Sequence, residues 1–322
     1  MPSVYITGKI PESGIILLKK KGYQVDINES GKSLTKKELS DVFAKYEAVI
    51  TLVFDKIDED VIKSAKGNLK IIANFAVGFD NIDVLAAKRR GIVVTNTPGV
   101  ASESVAEHTM MLILACSKKL IEADRYVRLG RFEQWDPLLF LSAGVSGKTI
   151  GIVGLGKIGK SIGKIAFAGF GMKILYSDPV RSEDFEILTE AKFTSLEILL
   201  AESDFVTLHV PLNKTTYHLI DKRKLAMMKE TAILINSSRG PVVAEQALIW
   251  ALSEKVIAGA GLDVYEHEPH IVHDLKILGN VILTPHIASA TYETREAMAK
   301  IAAENIIDVF SGRTPFGLVK VD

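Results

Sequence analysis

Thr149-Ile150-Gly151-Ile152-Val153-Gly154-Leu155-Gly156-Lys157-Ile158-Gly159 is the stretch that decides the fold. The apolar run Thr149–Val153 feeds a glycine-rich turn, after which the spacing becomes helical, with Ile158, Ile162, Ile165 and Ala166 on one side. A strand that opens through such a turn into a helix is a dinucleotide-binding arrangement. Gly154 permits the tight turn, Gly156 lets the backbone approach a pyrophosphate, and Gly159 lets helix pack closely on strand. The helix start, at Lys157 and Ile158, then points its N–H groups at the phosphates. Lys160 and Lys164 read as a solvated face; only Lys157 is near enough to the turn to touch phosphate. The following strand, Lys173–Ser177, runs into Asp178, about 20 residues beyond the turn, where an acid reads the ribose hydroxyls. Asp178 therefore predicts NAD over NADP, although Arg181 is placed where it can swing in to hold a 2′-phosphate.

Working outward, strands and helices alternate along the whole chain, which argues for parallel sheets with helices on both faces. Strand-like runs precede the turn at Val4–Thr7, Tyr23–Ile27, Ala48–Val53, Lys70–Ala73 and Ile92–Asn96. From the turn onward they stand at Ile150–Val153, Lys173–Ser177, Phe205–His209, Ala232–Asn236, Gly261–Tyr265 and Val281–Thr284. Pro98-Gly99 breaks the pattern between the two sets, and Ser104-Val105-Ala106-Glu107 has the form of a capping box. The helix after it is apolar nearly all round from Thr109 to Cys116, which predicts burial between domains or subunits. After Pro285 an amphipathic helix, apolar at Ala297, Met298, Ile301, Ile306 and Val309, is expected to return to the first domain and make it discontinuous. The expected fold is α/β with two doubly wound parallel-sheet domains. A flavodoxin-like substrate (catalytic) domain takes residues 1–98 and 288–322, and a Rossmann dinucleotide-binding domain takes residues 99–287.

Bulk properties narrow the function. The 322 residues are 48% hydrophobic, enough for two cores, and 39 basic and 39 acidic side chains leave no formal net charge. No block of like charge marks nucleic acid or an anionic membrane as a partner. The longest apolar stretch, Met110–Cys116, is far short of the ~20 residues that span a bilayer. The N-terminus enters a strand at once, without the pattern of a signal peptide, and the single Cys116 cannot form an internal disulfide. Both point to a cytoplasmic protein.

Further segments stand in a telling order: Val77-Gly78-Phe79-Asp80-Asn81-Ile82-Asp83, His209-Val210-Pro211-Leu212, Ile235-Asn236-Ser237-Ser238-Arg239-Gly240, Gly261-Leu262-Asp263-Val264-Tyr265, Glu268-Pro269 and Thr284-Pro285-His286-Ile287-Ala288-Ser289. Together with the glycine turn, and over essentially the full length, the chain resembles the D-isomer-specific 2-hydroxyacid dehydrogenase family, nearest its glyoxylate/hydroxypyruvate reductase branch. The resemblance implies an NAD(H)-dependent oxidoreductase that reduces a small 2-keto acid by hydride transfer at a cleft between the domains. It also implies a homodimer, and assigns Arg239, Glu268 and His286 to catalysis. By the same resemblance the cofactor is held by Gly154, Gly156, Lys157, Ile158, Gly159, Asp178, His209, Pro211, Ser238 and Asp263. Substrate contacts fall to Asn74, Phe75, Val77, Gly78, Arg239 and His286.

The chemistry of these residues suits those roles. Arg239 ends a predicted strand; its planar fork can hold a carboxylate and its fixed charge can stabilise the oxygen that turns negative as hydride adds to a keto carbon. The bland alternative is a surface salt bridge. His286 follows another strand end, and imidazole is suited to exchanging a proton near neutral pH, with a carboxylate such as Glu268 favouring its charged form. Taken singly, each reads as a satisfied loop residue. His267, His270 and His273 invite a metal, but Pro269 interrupts any helical geometry and no cysteine is near, so solvated histidines and no metal are expected.

No basic residue lies between Asn74 and Gly78, which disfavours a phosphorylated substrate, and the rings of Phe75 and Trp135 are expected to limit the pocket to small tails. Trp135 is equally an interface-packing residue or, as in the resembling branch, one that reaches a partner subunit's site. Two alternatives stay open: a phosphoglycerate dehydrogenase-like enzyme, and a nucleotide-sensing protein like the corepressor members of the family. Intact Arg239, Glu268 and His286 favour the small keto-acid reductase.

Overall fold

A computed structural model describes residues 1–320. The chain divides into two compact units, Met1–Ala101 with the segment from Ala290 onward, and Ser102–Ser289.

The first unit is built on β1 (Ser3–Ile6), β2 (Gln24–Ile27), β3 (Ala48–Thr51), β4 (Ile71–Asn74) and β5 (Val93–Thr95), all parallel, in the order β2-β1-β3-β4-β5. That is the flavodoxin-like order. β3 and β4 are buried at every position, as strands covered on both faces must be, so their sequences are apolar without alternation up to the last residues, Thr51 and Asn74. On one face Met298, Ala299, Ala302, Ala303 and Ile306 of the helix Tyr292–Phe310 pack with Val4, Ile6, Ile50 and Ile71. The helix Glu12–Lys20 lies against it so closely that a Cβ on Gly14 would run into the Ala299 backbone. On the other face Leu39, Phe43, Val61 and Ile62 close the core over Val49 and Ile72.

The second unit holds β6 (Thr149–Val153), β7 (Lys173–Ser177), β8 (Lys192–Phe193), β9 (Phe205–Leu208), β10 (Ile233–Asn236), β11 (Gly259–Leu262) and β12 (Val281–Leu283). Their order, β12-β11-β10-β9-β6-β7-β8, is the Rossmann order with one strand added. The direction of winding reverses between β6 and β9, and at such a switch point the carboxyl ends of parallel strands leave room for a ligand.

Three local expectations change. β8, two exposed residues on the sheet edge, is too short to carry a pattern and has no counterpart in the sequence reading. β11 starts two residues before the expected Gly261–Tyr265 run. At Gly261 the space is tight, since a Cβ there would lie 2.9 Å from Ile235 Cδ1 and 3.1 and 3.3 Å from Leu112 Cβ and Cys116 Sγ of a neighbouring helix. That helix, Ser102–Ser117, begins ahead of the proposed capping box, so Ser104 is buried inside its first turn rather than capping it. Within the Thr109–Cys116 stretch itself only Met111 is exposed. Ala106, Met110, Leu112 and Ile113 fill the core of its own unit, while Glu103, Glu107 and Met111 form an exposed row at helical spacing. Cys116 is partly buried, its Sγ 3.4 Å from the Ala260 carbonyl, and desolvation pushes the thiol up to about 12. Among the described residues no helix is long and apolar enough to cross a membrane.

Candidate active site

The glycine turn has the geometry its spacing implies. Gly154 has φ +92°, a conformation L side chains rarely adopt, and a Cβ there would lie 2.8 Å from the His209 carbonyl oxygen. A Cβ on Gly159 would strike the Gly154 carbonyl, whereas the Cβ direction of Gly156 meets nothing within 4 Å. Gly156 is also the N-cap of the helix Lys157–Phe170 and has no side-chain cap, so no capping side chain takes the first N–H groups of Lys157 and Ile158. Asp178 ties this turn to the end of β7: Leu155 N–H donates to Oδ2 at 2.7 Å and Val180 N–H to Oδ1 at 2.9 Å. Across the switch point both ring nitrogens of His209 are buried with no hydrogen-bond partner, and that desolvation lowers the imidazole to about 4, leaving it neutral. An open glycine cradle, an uncapped helix start and an orphaned imidazole fit a nicotinamide dinucleotide held by Gly154, Gly156, Lys157, Ile158, Gly159, Asp178 and His209. Pro211, exposed next to His209, offers its carbonyl to Thr216 Oγ1 at 2.6 Å.

The ends of β10, β11 and β12 carry the acid–base residues. His286 Nδ1 lies 2.8 Å from Glu268 Oε2, and the Tyr265 N–H donates to the other Glu268 oxygen at 2.8 Å. The carboxylate is thus aimed by the backbone that leaves β11, and it fixes the orientation of the ring. His286 itself sits at φ +55°. Asp263 holds this unusual turn: fully buried, it accepts from Ile287 N–H at 2.9 Å, Ala288 N–H at 2.8 Å and Thr284 Oγ1 at 2.6 Å, with His108 Nε2 3.4 Å away. Burial raises its carboxyl, but the bonds from His108, Thr284 and the two N–H groups outweigh that and bring it below the ordinary carboxylate value. Arg239 is set by Asn236, whose amide donates to the Arg239 carbonyl at 2.9 Å and whose Oδ1 accepts from Ser238 Oγ at 2.8 Å. Arg239 Nη1 in turn donates to the Ser238 carbonyl at 2.8 Å. One side of the Rossmann unit therefore presents a guanidinium and a carboxylate-bound imidazole, a set able to bind a carboxylate and exchange a proton.

The remaining expected contact residues differ in burial and in the bonds they already make. Asn74 is fully buried, its amide bonded to the Gly78 carbonyl at 2.9 Å and its Oδ1 accepting from Thr51 Oγ1 at 2.9 Å, so it shapes the 74–81 loop from inside. Phe75, only 5% exposed, packs in the core beneath that loop with the Arg295 guanidinium 5.9 Å from its ring. As the residue after β4, it still points into the sheet's cover. Val77 is exposed and Gly78 half-buried. Asp263 spends its carboxylate on the His286 turn, and Ser238 its hydroxyl on Asn236. Trp135 is 78% exposed. His267 and His270 face each other across a short bridge, and both are exposed, as is His273. No group of three or more metal-ligating side chains occurs among the described residues. Asn236 and His108 are the contributors that spacing left without a role. A lone histidine on an apolar helix was the only signal for His108, and its partner lies far along the chain.

Comparison with known proteins places these features in context. A family profile described as the NAD binding domain of D-isomer specific 2-hydroxyacid dehydrogenase matches residues 110–288. The chain is 47% identical to a glyoxylate reductase of Thermococcus litoralis over 100% of its own length and 97% of that protein. The TT0316 protein of Thermus thermophilus superposes with a TM-score of 0.92 at 39% identity, covering 99% of this chain and 100% of that one. An NADPH-dependent glyoxylate/hydroxypyruvate reductase of Sinorhizobium meliloti, solved with NADP and malonate, superposes with a TM-score of 0.86 at 32% identity, covering 99% and 96% of the two chains.

Proposed function

This chain belongs to the D-isomer-specific 2-hydroxyacid dehydrogenase family, and we propose that it is an NAD(H)-dependent reductase of small 2-keto acids of the glyoxylate or hydroxypyruvate kind. The observation that carries the proposal is the His286–Glu268 pair, 2.8 Å apart, on the same unit and sheet end as Arg239 and the glycine turn. A nicotinamide held at the glycine turn would supply the hydride for the keto carbon. Arg239 holds the substrate carboxylate and stabilises the oxygen as charge develops on it. With Nδ1 taken by Glu268, Nε2 of His286 gives its proton to that oxygen during reduction and removes it during oxidation. The similarity to glyoxylate reductases over the full length favours this reading over a phosphoglycerate dehydrogenase or a corepressor-like protein.

NADH is the preferred cofactor, since Asp178 stands at the end of β7 where a 2′-phosphate would be repelled. The protein acts as a cytoplasmic homodimer. The segment after the helix Ser102–Ser117 supports the dimer, since Leu120, Ile121, Val127, Phe132, Trp135 and Leu138 are all exposed there. A run of such side chains is characteristic of an association surface, and Trp135 within it belongs either to the dimer contact or to the partner's site.

Cofactor oxidation followed at equal concentrations of glyoxylate, hydroxypyruvate, phenylpyruvate and a phosphorylated keto acid tests the proposal. Glyoxylate and hydroxypyruvate are expected to give the highest kcat/KM. A maximum at phenylpyruvate or the phosphorylated acid overturns the substrate class, and no turnover with any of them overturns the activity.

A further inference from the structure

The loop leaving β7 carries a cation within three residues of Asp178, and the fold has given that cation another partner. Arg181 Nη2 lies 2.7 Å from Glu186 Oε2 and Nε 2.9 Å from Oε1, a two-pronged grip. An exposed ion pair alone would contribute little and would exchange freely. Glu186, however, is fixed independently of the arginine. Tyr176 Oη donates to Glu186 Oε1 at 2.6 Å and itself accepts from Ser182 N–H at 2.9 Å. The tyrosine is fully buried at the end of β7, its ring edge-on to Phe185 at 6.2 Å and tilted against Phe193 at 5.3 Å. A core side chain thus sets the position of the acid, and the acid sets the position of the arginine.

We propose that Glu186 is a cofactor-specificity determinant: it sequesters Arg181, so that the loop after β7 offers the adenosine ribose the Asp178 carboxylate without a compensating cation. An arginine in this loop is the residue type that accommodates a 2′-phosphate. Here the arginine is present and withheld, so refusal of NADPH depends on an acid eight residues beyond Asp178 as well as on Asp178 itself. The proposal rests on the nicotinamide-dependent reading above. Arg181 first and Tyr176 second hold the Glu186 carboxyl down at about 2, so the clamp stays closed across the working pH range.

Calorimetric titration of the full-length protein with 2′-AMP, NADPH and NADH tests this without turnover. Glu186→Gln removes the charge and keeps an acceptor for Tyr176. It is expected to tighten 2′-AMP and NADPH by about tenfold, the scale of one new charge-assisted contact, while NADH changes less than about twofold. Arg181→Ala should leave NADPH affinity unchanged in the native background and erase the gain in the Glu186→Gln background. Tyr176→Phe, which frees the acid without neutralising it, should give a smaller gain and serves if Glu186→Gln folds poorly. Unchanged 2′-AMP binding in Glu186→Gln with NADH binding intact overturns the clamp. So does an Arg181→Ala loss of equal size in both backgrounds. Failure of the native protein to bind NADH contradicts the cofactor reading and the clamp with it.

Discussion

Replacing His209 by Leu should remove a large part of the protein's acid sensitivity. The imidazole is buried with neither nitrogen hydrogen-bonded, and desolvation lowers it from 6.5 to about 4. Between those values the unfolded chain binds a proton that the folded chain refuses, so stability rises with pH through this window. The contribution is fully present above the unfolded value and is lost as pH falls toward the folded one. A shift of this size corresponds to about 3 kcal/mol over the whole window, at about 1.4 kcal/mol per pH unit, and to about 2 kcal/mol by pH 5. Leu has similar bulk, no proton to exchange and no unpaired nitrogen. Urea unfolding of the cofactor-free protein at pH 7.5, 6 and 5 provides the assay. Native stability should fall about 2 kcal/mol more than that of His209→Leu between the first and last pH. Parallel pH dependences in the two proteins would refute the claim that this imidazole is buried neutral.

Two further substitutions separate positioning from chemistry. Glu268→Gln keeps an acceptor near His286 Nδ1 and Tyr265 N–H but removes the charge; kcat should drop by about 10²-fold with an altered pH profile and unchanged NADH affinity, checked by steady-state kinetics and titration. Asp263→Asn has one acceptor oxygen where Ile287 and Ala288 N–H groups require two, so unfolding experiments should show a loss of about 1–3 kcal/mol and kinetics a fall in kcat larger than any rise in KM for the keto acid.

What the sequence disclosed follows from how local each signal is. The Gly154–Gly159 turn and Asp178 are legible because strand, turn, helix and next strand are consecutive, and each glycine answers a contact within the same unit. His286 and Glu268 meet only through the ends of β11 and β12, so spacing cannot pair them, and resemblance had to. The surroundings of Asn74 and Phe75 are not legible for the converse reason. Asn74 ends β4 and bonds to Thr51 and the Gly78 carbonyl, while Phe75 packs into the cover of the sheet, so both side chains are buried where the neighbouring motif makes them look available. The Thr109–Cys116 stretch reads as apolar nearly all round because its wide apolar surface serves a sheet and a neighbouring helix, and its one exposed side chain, Met111, continues a row begun by Glu103 and Glu107 before the stretch. Asp263 sits in a motif the family uses, but its commitment to Ile287 and Ala288 is a tertiary fact.

The most direct measurement is a single-turnover reaction of glyoxylate with the pre-bound NADH complex of the native protein and of His286→Ala, alongside NADH titration of both. The proton donated from His286 predicts that hydride transfer slows by about 10²–10⁴-fold in the variant while the NADH dissociation constant stays the same. A variant that oxidises NADH at a near-native rate with glyoxylate would show that the His286–Glu268 pair is not the acid–base device of this enzyme.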